Sequence, residues 1–276
     1  MHMKRLLTML ILALLTGCAS GPTIDRTFTA VSQDSRAQFL ILHYTALDFP
    51  TSLKVLTEGS VSSHYLVRDN PPTIYQLVEE NRRAYHAGVS SWKGQTQLNA
   101  ASIGIEIVNL GYQNTPQGRI YFEFPPQQID AVIALAKKII TEHGIRPDRV
   151  LAHSDIAPQR KPDPGPLFPW KRFADEGLIL WPDADLVAQK KLLYDQQLPD
   201  IDWFQQTLAR FGYAVPLNGQ FDEETVSVIA AFQMKYRPSL FDGMPDAETA
   251  AMLDVLTTPQ ANPKEIPAGS ADAPMK

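Results

Sequence analysis

The chain has 276 residues, of which 44% are hydrophobic and 20% are charged, so it can bury the core of one substantial domain and one small domain. Its 30 acidic residues outnumber its 25 basic residues, and the formal net charge is -5 at pH 7. Nucleic-acid binding normally requires a basic surface that displaces counterions from phosphates. The sequence offers none, which excludes nucleic acid as a partner.

The N-terminus has the pattern of an export signal. Lys4 and Arg5 precede an apolar run over residues 6–15 that is too short to span a bilayer and is typical of a secretory signal. The residues that follow, Leu-Thr-Gly-Cys at 15–18, resemble the bacterial lipoprotein box, in which the cysteine is acylated and becomes the first mature residue. Cys18 is the only cysteine, which favours lipidation over a plain signal peptide and excludes an internal disulfide.

The residue after the cysteine predicts where the protein resides. Ala19 follows Cys18 where inner-membrane lipoproteins carry an aspartate, so by resemblance to lipoprotein sorting we expect the protein in the outer membrane. The acyl chains on Cys18, palmitate among them, would anchor it there, facing the periplasm. Once a signal peptide over residues 1–17 is removed, residues 18–35 are polar and lack periodicity, and they predict a tether.

Apolar, branched runs predict strands from residue 36 onward. Between the last two runs, residues 126–143 carry apolar side chains at helical spacing, and Gly144 supplies a stop. Both hairpin-length and crossover-length connections occur, so residues 36–182 predict an α/β domain with a mixed central β-sheet flanked by helices. The expected strands are residues 39–45, 64–68, 74–79, 103–109 and 150–153.

Two histidines and a glutamate stand out in these strands. His43 falls where the first strand emerges, and His153 ends the last. Two histidines with one carboxylate can bind zinc and leave one position open, as in catalytic zinc sites. Glu106 is a single carboxylate in an apolar run, so it needs a cationic or metal-bound partner or an open cleft. Each residue alone is also consistent with an ordinary structural role, and it is the set that indicates a site.

A proline-rich segment follows His153. Five prolines between Pro158 and Pro169 fix φ and remove backbone donors, so we expect residues 152–165 to form an ordered, extended loop without helix. Side chains alternate along extended backbone, so Lys161 and Asp163 should point the same way. The loop would then hold a cation beside a potential metal ligand.

Five segments, in order and with consistent spacing, match one family. They are Ile-Leu-His-Tyr-Thr at 41–45, Ser-His-Tyr-Leu-Val at 63–67, Tyr-His-Ala-Gly at 85–88, Ser-Ile-Gly-Ile-Glu at 102–106, and residues 153–165. Together they resemble the zinc-dependent N-acetylmuramoyl-L-alanine amidases, whose fold is shared with phage lysozyme-type amidases and peptidoglycan recognition proteins. The resemblance implies a Zn2+ ion bound by His43, His153 and Asp163, with Glu106 and Lys161 as catalytic residues.

The same resemblance implies the reaction. The enzyme would hydrolyse the amide bond between N-acetylmuramic acid, or its anhydro form, and L-alanine in peptidoglycan and muropeptides during cell-wall turnover. Zinc would activate a water, Glu106 would carry its proton to the leaving amine, and Lys161 would stabilise the oxyanion. The alternative is a non-catalytic peptidoglycan-binding receptor of the same fold, which typically lacks a zinc ligand. A zinc carboxypeptidase is disfavoured because the chain has no His-x-His pair.

Three further residues are expected to contact substrate. His86 resembles the groove histidine of Trp-His-Ala-Gly, with Tyr85 in place of the tryptophan. Asn99 lies in a motif that often reads Asn-Asp, and Tyr44 follows the first ligand. For His64 we expect an ordinary role in the core.

The remaining residues predict a second, helical domain. Residues 183–199 predict a connecting helix or linker, and residues 200–258 predict three helices, because Asp200, Asp222 and Asp246 stand where N-caps belong. This region resembles the peptidoglycan-binding domain found beside many cell-wall hydrolases, and a purely structural helical cap is the alternative. We expect it to bind the wall without joining the chemistry, and the protein to be a monomer. Residues 259–276 are rich in proline, alanine and charge and are expected to be disordered.

Overall fold

The computed structural model describes residue 22 and residues 24–258. The expected signal peptide, Cys18 and the expected disordered tail therefore lie outside the described residues. The described residues before Ser35 contain neither helix nor strand and belong to a separate unit from the rest. Within the described ranges, no helix has both the length and the apolar composition needed to cross a membrane.

The strands agree with the sequence at the five expected places, and two short hairpins are added. In chain order they are β1 (Phe39–Tyr44), β2 (Tyr65–Val67), β3 (Ile74–Gln76), β4 (Ser91–Trp92), β5 (Gln95–Thr96), β6 (Ser102–Ile107), β7 (Tyr112–Thr115), β8 (Gly118–Tyr121) and β9 (Val150–Ala152). The helices are α1 (Phe49–Glu58), α2 (Pro126–His143), α3 (His153–Ile156), α4 (Trp170–Asp175), α5 (Ala184–Tyr194), α6 (Ile201–Phe211), α7 (Glu223–Tyr236) and α8 (Ala247–Thr257).

Five strands form one mixed sheet in the order β3-β2-β6-β1-β9, which confirms the expected fold class. Strands β2, β6, β1 and β9 run parallel, and β3 is an antiparallel edge strand. In the register of β1, His43 lies opposite Glu106 of β6, and Leu42 lies opposite Ala152 of β9. Because parallel strands end at the same edge, three neighbouring strands deliver Glu106, His43 and His153 to one side of the sheet.

The central strand β1 is buried on both faces, and its alternate residues enter different cores. Leu40 and Leu42 join the apolar cluster that includes α2 and α4. Phe39 and Ile41 join a second cluster, in which they share a core with Phe204 of α6 and other residues of the C-terminal helices. The C-terminal helices therefore cover one face of the mixed sheet.

Helix boundaries follow the local signals read from the sequence. Helix α2 ends at Gly144, which adopts the left-handed conformation with φ of 65°. Asp200, Asp222 and Asp246 each cap a helix by accepting a backbone N–H three residues ahead, which confirms the three expected N-caps. The connecting helix α5 is shorter than expected and packs against α8 through Val187, so it is part of the helical domain.

One expectation from the sequence is wrong. The segment after residue 152 begins with the helical turn α3, although the whole segment was expected to be extended. The prolines start only at Pro158, so they do not prevent residues 153–156 from forming a helical turn. Asp155 favours the turn because its carboxylate accepts the backbone N–H of Ala152 at 2.8 Å.

Candidate metal centre and active-site cleft

The three predicted metal ligands converge in the structure. His43 comes from the end of β1, His153 is the first residue of α3, and Asp163 lies on the proline-rich loop. His43 Nδ1 lies 2.9 Å from His153 Nδ1, and each of these atoms lies 3.0 Å from Asp163 Oδ2. All three residues are at most 5% exposed.

This donor set suits a zinc ion. Two imidazole nitrogens and one carboxylate oxygen face one another in a buried place, where their lone pairs repel unless a cation lies between them. Three protein ligands of this kind leave a position open for water or substrate, which is the pattern of catalytic zinc sites.

Hydrogen bonds behind His43 orient its ring. His43 Nε2 lies 3.0 Å from His86 Nδ1, His86 Nε2 lies 3.2 Å from Ser102 Oγ, and that hydroxyl donates to the carbonyl of Leu98 at 2.6 Å. Donation in one direction along this chain leaves His43 Nδ1 unprotonated toward the metal position. Such contacts behind a metal-binding histidine fix its tautomer and ring orientation.

The second histidine and the loop are held in the same way. His153 Nε2 lies 3.1 Å from the carbonyl oxygen of Ala87, which keeps the Nδ1 lone pair toward Asp163. The backbone N–H of Ser154 donates to the carbonyl of Asp163 at 2.9 Å, so the loop is tied to α3. Arg160 donates to the carbonyls of Ala87 and Val89, which fastens the segment containing His86 to the same loop.

The electrostatics of the centre favour the forms that bind metal. Burial, reinforced by the neighbouring His153, lowers the pKa of His43 to about 4. Burial alone would raise the pKa of Asp163, but the two histidines outweigh it and hold that pKa below its usual value. A neutral imidazole and an ionised carboxylate are the states required of metal ligands.

Glu106 lies beside this centre on β6, where its neighbour across the strands is His43. Its Oε2 is buried and has no hydrogen-bond partner among the described residues. Burial, and next the negative charge of Asp163, raise the pKa of Glu106 well above its usual value, whereas Lys161 acts in the opposite direction. A carboxylate whose proton affinity is raised in this way is suited to general acid–base chemistry.

A cleft of about 330 Å³ opens onto the cluster. It is lined by two of the predicted metal ligands, His153 and Asp163, and by the predicted catalytic residues Glu106 and Lys161. Helix α1 forms one of its walls. Helix α1 was not predicted from the sequence, although Asp48 is an N-cap followed by Pro50 in the first turn, a recognisable helix start. Tyr112 and Arg160 are among the other cleft residues that were not predicted.

The three predicted substrate contacts have different surroundings. Tyr44 lines the cleft, and its hydroxyl is buried without a hydrogen-bond partner among the described residues. His86 also reaches the cleft but is 8% exposed and bonded to His43, so orienting that ligand is its best-supported role. Asn99 is not among the residues that line the cleft. Its Oδ1 instead accepts the backbone N–H groups of His86 and Ala87 at 3.0 and 2.7 Å.

His64 has the core role expected of it. It is fully buried, its Nδ1 accepts the backbone N–H of Gly104 at 3.0 Å, and its Nε2 lies 3.1 Å from the carbonyl of Arg82. Burial lowers its pKa to about 4, so it stays neutral at physiological pH.

A second group of potential ligands lies elsewhere, formed by Glu80, Glu142 and His143. Its members already have partners within the protein. Glu80 accepts from the Tyr65 hydroxyl at 2.5 Å and contacts His143 at 2.8 Å, while Glu142 pairs with Lys138. These contacts account for the cluster without a metal.

Two family models match the chain. The N-acetylmuramoyl-L-alanine amidase model matches residues 33–166, and the putative peptidoglycan binding domain model matches residues 197–253. The first range contains all the cluster and cleft residues discussed above, together with the whole of α3. The second contains α6, α7 and most of α8.

Similar proteins are amidases. The chain is 45% identical over 258 residues to the N-acetylmuramoyl-L-alanine amidase AmiD of Escherichia coli, an alignment that covers 88% of this chain and 93% of the relative. It is 34% identical over 154 residues to the 1,6-anhydro-N-acetylmuramyl-L-alanine amidase AmpD of Enterobacter cloacae, covering 55% of this chain and 70% of the relative.

Two solved structures have the same fold across both domains. One is Escherichia coli AmiD in complex with the substrate anhydro-N-acetylmuramic acid-L-Ala-D-gamma-Glu-L-Lys, with a TM-score of 0.79 and 45% identity, covering 86% of this chain and 94% of that one. The other is AMPDH3 from Pseudomonas aeruginosa in complex with anhydromuramic pentapeptide. It has a TM-score of 0.79 and 38% identity, and the match covers 85% of this chain and 97% of that one.

Proposed function

This chain belongs to the N-acetylmuramoyl-L-alanine amidase family, and we propose that it cleaves the amide bond between N-acetylmuramic acid and L-alanine with a zinc ion held by His43, His153 and Asp163. The observation that carries the proposal is the buried convergence of His43 Nδ1, His153 Nδ1 and Asp163 Oδ2 within 3.0 Å of one another. When bound, zinc polarises the scissile carbonyl and lowers the pKa of water at the open position.

Glu106 moves the proton. Its Oε2 accepts a proton from the attacking water and then donates it to the nitrogen of the leaving L-alanine, so one residue serves as base and then as acid. The raised proton affinity of Glu106 supports the second step, because a carboxylate of ordinary acidity holds a proton poorly at neutral pH.

Lys161 stabilises the negative charge that develops on the carbonyl oxygen. The lysine is fixed on the proline-rich loop and lines the cleft, so it is in place before the reaction begins. Tyr44 contributes its ring to the cleft wall against the substrate. His86 and Ser102 keep the ring of His43 oriented.

The substrates we propose are muropeptides, including those with anhydro-N-acetylmuramic acid. This assignment is supported by the two solved relatives, whose complexes contain an anhydromuramic peptide. The helical domain would bind the peptidoglycan strand, in keeping with its family match. The protein would act as a monomer in the periplasm, anchored to the outer membrane through a lipid on Cys18.

Mass spectrometry of digested muropeptides tests the reaction. We expect free stem peptides that begin with L-alanine, together with the intact sugar, and a chelator should abolish their release until zinc is restored. Anhydro and reduced muropeptides of the same peptide sequence should be compared in parallel. Products cut within the stem peptide, or between sugars, would contradict the proposal. A protein that binds muropeptides and releases nothing would support the receptor alternative.

A further inference from the structure

A buried lysine of the helical domain reaches into the catalytic domain. Lys235, near the end of α7, is 4% exposed, and its ammonium lies 2.7 Å from Asp155 Oδ2. It also donates to the carbonyl of Val150 at 3.2 Å and lies 4.4 Å from the centre of the Trp170 ring. Lysine is almost never so deeply buried unless it is paired, so this contact is a specific feature of the domain junction.

The carboxylate that it pairs with belongs to the turn that carries a metal ligand. Asp155 is fully buried and lies two residues after His153 in α3. Its Oδ2 accepts the backbone N–H of Ala152, and its Oδ1 accepts the hydroxyl of Tyr213 at 2.6 Å. Two of the partners of Asp155, Lys235 and Tyr213, therefore come from the helical domain.

The turn needs such support. Helix α3 has only four residues, and a single helical turn is unstable without outside contacts because nucleation costs more than one backbone hydrogen bond returns. On its inner side, Ile156 packs in the core shared by the sheet and the C-terminal helices. The turn therefore has both polar and apolar partners in the helical domain, in addition to its contacts within the catalytic domain.

We propose that Lys235 and Tyr213 are positioning residues for the metal ligand His153, acting through Asp155. By fixing the carboxylate of Asp155, they fix α3, and with it the place of His153 Nδ1 relative to His43 and Asp163. The helical domain is then a part of the metal-site scaffold as well as a wall-binding module. The inference rests on the proposed zinc site and adds to it two residues outside the amidase-family match.

The principal variants are Lys235→Met and Tyr213→Phe. Lys235→Met keeps the length of the side chain but leaves Asp155 buried without its cation, and Tyr213→Phe removes a single hydroxyl. Arg237→Met is the matched control, since Arg237 lies two residues further along, is also buried, and pairs with Asp246 and Glu248 inside the helical domain. A double variant, Asp155→Asn with Lys235→Met, removes both charges together.

Zinc affinity measured by chelator competition decides the question, with the melting temperature of the metal-free protein recorded on the same samples. We expect Lys235→Met and Tyr213→Phe to weaken zinc binding by about 10–100-fold, the usual effect of losing support behind a metal ligand. The double variant should recover part of that loss. Arg237→Met should lower the melting temperature and leave zinc affinity unchanged.

Two results would overturn the proposal. The first is that folded Tyr213→Phe and Lys235→Met both bind zinc with wild-type affinity. The second is that Arg237→Met loses as much zinc affinity as those two variants do, at the same melting temperature. If Lys235→Met does not fold, Tyr213→Phe alone decides, since it leaves the packing of the ring in place. His43→Ala separates this inference from the proposed function. If that variant also keeps zinc, the metal site itself is wrong; if it loses zinc while Tyr213→Phe does not, only the positioning role fails.

Discussion

His43 and Glu106 lie directly opposite each other on the parallel strands β1 and β6. His43 faces the other two members of the cluster through its Nδ1, and Glu106 has a buried Oε2 with no hydrogen-bond partner among the described residues. The proposed metal ligand and the proposed proton acceptor are thus held on neighbouring strands in the hydrogen-bonded centre of the sheet. Their separate roles can be tested separately.

Removal of a metal ligand should remove metal and activity together. In His43→Ala, His153→Ala or Asp163→Ala, two ligands remain, and a site with three protein ligands and an open position no longer exists. Zinc content by elemental analysis and muropeptide hydrolysis should both fall to background, while His64→Gln serves as a histidine control outside the cluster. Full zinc content in all three variants would refute the ligand assignment.

Glu106→Gln should separate the base from the metal. Glutamine has nearly the same size but accepts no proton, so the variant should keep its zinc and fold and lose activity by about 10²–10⁴-fold. Zinc content and turnover must be measured on one preparation. Near-normal turnover would mean that another group takes the proton, and the mechanism would be wrong at its central step.

Lys161→Met should shift the pH dependence as well as the rate. The positive charge of Lys161 lowers the pKa of Glu106, so its removal raises that pKa further. Glu106 acts first as an ionised base, so activity is lost as pH falls through its pKa. The acid limb of kcat/KM should therefore move to higher pH in the variant. Lys171→Met, on the exposed side of α4, is the control. An acid limb that stays in place or moves to lower pH would contradict this electrostatic effect of Lys161 on the pKa of Glu106.

Cys18→Ser should release the protein from the membrane. The lipoprotein box resemblance predicts that Cys18 is acylated, and stable anchoring depends on the attached lipid chains. In cell fractionation the wild-type protein should be found with outer membranes and incorporate labelled palmitate, whereas the variant should do neither. The same distribution of both proteins would exclude a lipid anchor on this residue.

The helices and strands that were predicted correctly are those determined by residues close together in the sequence. The apolar run of β1 and the N-cap aspartates act within a few residues, so a sequence pattern identifies them. Parallel pairing then brings His43 and His153 to one sheet edge, which also follows from the pattern. By contrast, α3 was missed because Asp155 stabilises it with partners 58 and 80 residues away in the chain.

The roles of side chains around the cleft were harder to predict for a similar reason. The motif predicts that His86 contacts substrate, and His86 does line the cleft. Its hydrogen bond to His43 was not predicted, because that bond joins residues 43 positions apart in the chain. The Asn99 Oδ1 accepts the backbone N–H groups of His86 and Ala87, which lie 13 and 12 residues earlier in the chain. Sequence identifies which residue types can do chemistry, whereas the direction in which each side chain points depends on tertiary packing.

A chain that ends near Pro199 tests how far the two domains are independent. From the sequence alone, the helical domain was expected to bind the wall without joining the chemistry, so such a chain would still cleave soluble muropeptides. The structure predicts otherwise, because truncation exposes Phe39, Ile41, Leu151 and Ile156, which share a core with the C-terminal helices. Burial of each such side chain contributes about 1.5–3 kcal/mol. Exposure of several would remove most of the roughly 5–15 kcal/mol that stabilises a typical domain.

We therefore expect the truncated protein to aggregate or to unfold at a much lower temperature than the full chain, and to lose activity on soluble muropeptides as well as on intact sacculi. Circular dichroism melting and size-exclusion chromatography, followed by the muropeptide assay, measure each part of this expectation. A milder variant, Phe232→Ala in α7, should lower the melting temperature by opening a cavity in the same core. A soluble truncated chain with normal turnover on muropeptides would instead mean that the shared core is dispensable, and that the helical domain serves only to bind the wall.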